Sequence, residues 1–133
     1  MKLATILLSA IVLFGQPTAT QKFSGIWEAR FKGDVFCVLK IQTGDKLGGT
    51  MSSVDINVDE DGNLQSAQAK DTEFPILRPS IESDKLIFEW TDNPDEAPLK
   101  LELKITGEKE AQLRIVEPPE GVKIKPFMFT KRG

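Results

Sequence analysis

The chain has 133 residues, a formal net charge of −3 at neutral pH, one cysteine and no histidine. That length holds one domain, and the missing histidine excludes Ser-His-Asp and Cys-His nucleophile systems and His-based zinc or iron sites. A single cysteine excludes thiolate metal clusters and an internal disulfide, and the mild acidity argues against nucleic acid or an anionic membrane as partner.

In chain order, the first element is a leader. Lys2 is followed by the uncharged run Leu3 to Phe14, and Gly15 and Pro17 then break any helix. The run falls short of the roughly 20 residues that cross a hydrocarbon core. It therefore reads as a signal peptide over residues 1–20, cleaved after Ala19 or Thr20. The expected product is a secreted or periplasmic domain, 21–133, with no membrane association once the leader is gone. Only Lys2 is lost among the charges, leaving 16 basic against 20 acidic residues, a net charge of −4. Cys37 lies too far downstream to be a lipoprotein anchor, and its apolar strand makes it a buried, inert thiol.

The mature chain alternates apolar and polar residues at period two between turn signals every eight to twelve residues, which predicts an all-β domain. The predicted strands are 25–32, 35–42, 46–53, 54–58, 63–68, 74–82, 85–91, 98–106, 110–117 and 124–131. Gly48-Gly49 marks a sharp bend inside the third, and the fourth and fifth read as one broken edge. Turn lengths test the register, because a slip of one residue turns a strand inside out. A three-residue Lys32-Gly33-Asp34 loop sets Phe31 opposite Val35, and a Thr43-Gly44-Asp45 loop sets Ile41 opposite Leu47. A Ser83-Asp84 turn sets Ile81 opposite Leu86, and a Gly107-Glu108-Lys109 loop sets Leu103 opposite Leu113. All four hairpins place Trp27, Leu39, Leu86, Phe88, Trp90 and Leu103 on inward faces.

Eight to ten short strands in this length close most economically into one small antiparallel up-and-down barrel, with a β-sandwich as the alternative. The last strand, Lys125 to Arg132, then pairs with the first and removes the open edge. Trp27 plugs the bottom, with Lys131 or Arg132 near its ring.

Gly25-x-Trp27 opening the first strand, together with Gly49-Thr50, resembles the calycin barrels. Over nearly the whole mature chain, Trp27, Leu39, Gly49-Thr50, Leu86-x-Phe88 and the Lys-Pro-Phe-x-Phe-x-Lys-Arg of 125–132 resemble small secreted bacterial β-domains. These occur alone or attached to secreted hydrolases and have no assigned activity. The resemblance implies a calycin-like barrel outside the cytoplasm and carries over no catalytic residue.

Residue chemistry points to binding and not to an enzyme. Asp59, Asp61 and Asn63 are spaced as in a calcium loop, but Leu64 and Lys70 stand where that loop needs Gly and Glu, so the segment reads as a hairpin turn. No cofactor or metal site is expected. The main reading is an accessory or protein-interaction domain, self-associating or docking to an exported partner. Its surface is the out-of-phase apolar residues Ile26, Phe36, Val38 and Met128, since contiguous exposed apolar area marks interfaces. The alternative is a barrel-mouth pocket for a small hydrophobic or anionic ligand, built from Trp90, Phe88, Phe127, Arg78 and Arg30. A carboxylate-dependent hydrolase is a third, weaker reading.

Overall fold

A computed structural model describes residues 20–132, so the leader expected over 1–20 lies almost wholly outside the described residues. After a 3-10 turn, Gln21–Phe23, nine strands follow: β1 (Gly25–Phe31), β2 (Asp34–Gln42), β3 (Gly48–Val58), β4 (Leu64–Pro75), β5 (Leu77–Glu82), β6 (Lys85–Trp90), β7 (Leu99–Gly107), β8 (Glu110–Ile115) and β9 (Phe127–Lys131). They form one curled antiparallel sheet in the order β4-β3-β2-β1-β9-β8-β7-β6-β5. The first and last strands pair as expected, Trp27 opposite Lys131 and Ala29 opposite Phe129. A single continuous sheet takes the place of the two sheets a sandwich requires.

The β1–β2 hairpin turns on two residues, Lys32 (φ 53°) and Gly33 (φ 87°), the paired positive φ values that match strand twist. Phe31 accordingly faces Asp34, not Val35. The expected pairing returns from Ala29–Cys37 through Trp27–Leu39 because Phe36 is skipped as a bulge. That bulge makes Phe36 and Cys37 consecutive buried residues, 2% and 3% exposed. Phe36 therefore points inward, contrary to the outward position that simple alternation assigns it. Its ring meets Phe127 edge-on, 5.6 Å between centroids.

The next hairpin pairs Ile41 with Gly49, two residues beyond the expected Leu47. A slip of two keeps every side chain on its face, so the core assignment survives. Gly48-Gly49 opens β3 instead of bending its middle, and a Cβ on Gly49 would lie 1.9 Å from the Lys40 carbonyl oxygen. The two strands expected over 46–58 are one, with an irregularity at Ser53. β4 runs on to Pro75, and Ile76 alone separates it from β5. The hairpins at Ser83-Asp84 and at 107–109 have the expected registers, Ile81 opposite Leu86 and Leu103 opposite Leu113.

The curl brings the far end of β6 onto β3 and β4. The Trp90 indole N–H donates to the Met51 and Phe74 carbonyls, 3.2 Å each. The Ile76 N–H donates to the Gly49 carbonyl at 3.0 Å, and the Ser53 hydroxyl donates to Asp92 at 3.0 Å. Inside, Trp27, Leu39, Leu86, Leu103, Ala111 and Phe129 are all fully buried. The Trp27 indole N–H donates to the Phe23 carbonyl at 2.9 Å, and the Lys131 ammonium lies 5.4 Å from its ring centre. Phe23 in the 3-10 turn thus completes the plug.

Candidate functional site

Three segments that are distant in sequence meet at one end of the sheet: the β1–β2 turn, the β3–β4 turn and the stretch entering β9. The β3–β4 turn is organised by Asp59. Its carboxylate accepts from the Asp61 and Asn63 backbone N–H groups, both at 2.9 Å, and from the Asn63 side-chain amide at 3.3 Å. Those bonds, the Asn63 N–H foremost, hold the Asp59 carboxyl below its ordinary range. The acids that resemble a calcium loop therefore build a turn. Among the described residues, no group of three or more His, Cys, Asp or Glu side chains is placed to hold a metal ion.

The tip of this turn docks on the chain ahead of β9. Gly62 (φ +90°) lies so close that a Cβ would sit 3.0 Å from the Lys123 carbonyl oxygen, and its own carbonyl accepts from the Lys125 N–H at 3.0 Å. Pro126 offers no N–H to a ladder, so β9 begins only at Phe127, leaving Lys125 outside the sheet.

Between these segments lies a groove of about 370 Å³. Phe31, Phe36, Leu64, Phe127 and Met128 supply its apolar lining, and Arg30 and Lys125 its charge; no acidic residue lines it. Arg30 alternates outward on β1. Its guanidinium donates to the Gly33 carbonyl at 3.3 Å and to Glu28 at 3.4 Å, long bonds on a side chain that is 54% exposed. Glu28 itself is pulled below the usual carboxylate range, chiefly by its hydrogen bond from Arg132 and secondarily by Arg30. The single Glu28 carboxylate is thus shared between two guanidinium groups, Arg132 and Arg30, which leaves one positive charge in excess over the three side chains.

No family model, curated protein or solved structure matches this chain.

The structure redistributes the nine residues singled out from the sequence. Arg30 and Phe127, from the expected pocket, and Phe36 and Met128, from the expected patch, share the groove. Phe88 and Trp90 do not reach it: they are 1% and 5% exposed, and the Trp90 N–H is spent on two carbonyls. Arg78 sits in a separate cleft with Phe74, Leu77 and Pro98 and pairs with Glu89 at 3.5 Å. Ile26 and Val38 are only half-buried, and Ile26 lines a different depression beside Lys40 and Thr50. The four-residue patch is therefore not one surface, because the bulge withdraws Phe36. Sequence reasoning did not select Phe31, Leu64 or Lys125. The one usable signal was Pro126, which stops the ladder and sets Lys125 apart.

Proposed function

We propose that this chain is an exported, non-catalytic domain whose nine strands make a closed calycin-like barrel, and that it works by binding at the groove on its rim. The observation that carries this reading is the convergence of two cations with five apolar side chains from three separate segments. The interior supports the same view. Its centre is filled by Trp27, Leu39, Phe88 and Phe129, which leaves the rim for a ligand. Closure is supported by the single residue between β4 and β5, the two ends of the sheet order, and by the Trp90 bonds across that seam. Export rests on Lys2, the apolar run to Phe14 and the break at Gly15 to Pro17.

An amide-resolved NMR screen with small apolar fragments tests the binding surface. Shifts should gather at Phe31, Asn63, Leu64, Phe127 and Met128. Shifts confined to the Arg78 cleft, or turnover of a panel of esters and glycosides by the purified protein, would overturn the reading.

A further inference from the structure

We infer that the groove selects small aromatic carboxylates, a ligand class that rests on the reading of the groove as the binding surface. The first argument is charge. The whole chain carries −3, yet the groove lining carries two positive groups and no negative one, a local reversal of sign. Among the described residues, Lys125 has no carboxylate within ion-pair distance, and Arg30 reaches only one, Glu28, at 3.4 Å. A guanidinium has five N–H donors in a planar fork that matches a carboxylate, and Arg30 commits only two of them, both to long bonds. Lys125 adds a mobile point charge on the same lining.

The second argument is the shape and character of the apolar part. Phe31 and Phe127 face it, the Lys32 ammonium lies 5.4 Å from the Phe31 ring centre, and the buried Phe36 backs Phe127 edge-to-face at 85°. The accessible edges and faces of Phe31 and Phe127 suit an aryl group, which packs offset or edge-to-face against them, while the two lining cations disfavour a positively charged ligand. Size is the third. The volume of about 370 Å³ is at the small end of ligand sites and corresponds to about a dozen heavy atoms, at roughly 30 Å³ for each water-sized group. A benzene ring on a short chain ending in one carboxylate fits that limit. The ring lies on Phe31 and Phe127 and the carboxylate meets Arg30 and Lys125.

The test uses three probes of one shape: 3-phenylpropanoate, its neutral amide and 3-phenylpropylamine, titrated into the protein by calorimetry and amide-resolved NMR. The carboxylate should shift Phe31, Leu64 and Phe127 amides, bind about tenfold more tightly than the amide, and weaken as salt screens the cations. The amine should not bind. Arg30→Gln and Lys125→Gln, both at exposed side chains, should each weaken the carboxylate several-fold and the amide by clearly less. Equal binding of carboxylate and amide at the groove would overturn the anion preference while leaving the groove as a binding surface. Failure of all three probes to shift any groove amide would overturn both.

Discussion

Phe23 is the most exposing single point at which to challenge the described packing. It belongs to no strand and sits in a three-residue turn beside the expected leader cleavage site, yet it is 1% exposed and its carbonyl accepts the Trp27 indole N–H. Truncating a fully buried Phe to Ala costs about 3–5 kcal/mol through lost burial and the cavity left behind. Unfolding entropy near 2.1 cal/mol/K per residue gives roughly 240 cal/mol/K for residues 20–132, so each kcal/mol moves Tm by about 4 °C. Phe23→Ala should then lower Tm by about 12–20 °C, a large share of the roughly 5–15 kcal/mol available to a domain this size. Thermal unfolding followed by Trp fluorescence reads the midpoint and the combined exposure of Trp27 and Trp90. A chain trimmed to begin at Thr20 should match the parent, whereas one beginning at Ser24 should fall further than Phe23→Ala, because it also loses the carbonyl that accepts the Trp27 indole N–H. A drop below about 4 °C for Phe23→Ala would show that the turn is decoration and that Trp27 is sealed by other groups.

Other measurements probe the seam, the outer face and the thiol. Trp90→Phe keeps an aromatic six-membered ring, removes the pyrrole part of the buried indole and leaves the Met51 and Phe74 carbonyls without their donor. It should cost about 1–3 kcal/mol in urea unfolding, and a neutral result would mean that the two ends of the sheet are not held through this indole. Glu28 has a folded pKa below its ordinary value of 4.5, so the unfolded carboxyl takes up a proton first as pH falls. Its stabilising contribution is therefore present above about pH 4.5 and lost as pH drops through the depressed folded value. Stability of Glu28→Gln should fall less steeply than that of the parent below pH 4.5, and parallel curves would refute the Arg132–Glu28–Arg30 assignment. Burial pushes the Cys37 thiol up to about 12. It should resist iodoacetamide at pH 8 and react only on unfolding; rapid native labelling would place it at the surface.

Much of the architecture was legible because strand pairing obeys arithmetic. Alternation named Trp27, Leu39, Leu86, Phe88 and Leu103 as inward, and turn length placed Ile81 opposite Leu86 and Leu103 opposite Leu113. Even the wrong loop length after β2 left the core intact, since Ile41 moved from Leu47 to Gly49 and a shift of two preserves the face. The candidate site was legible only in fragments. Arg30, Phe36, Phe127 and Met128 were noticed, but for two different surfaces.

By itself, the sequence determined the all-β class and most of the inward set of side chains, both of which follow from period-two patterning and local turn chemistry acting over a few residues. The pairing of the first strand with the last was expected on a different ground, the need to remove an open sheet edge. Tertiary structure alone decided that Phe36 bulges inward, that β3 is one strand, and that Gly62 rests on Lys123 to bring Leu64 and Lys125 beside Arg30. Those outcomes depend on contacts between segments far apart in the chain. Their geometry is set by how the sheet curls, which no local pattern encodes.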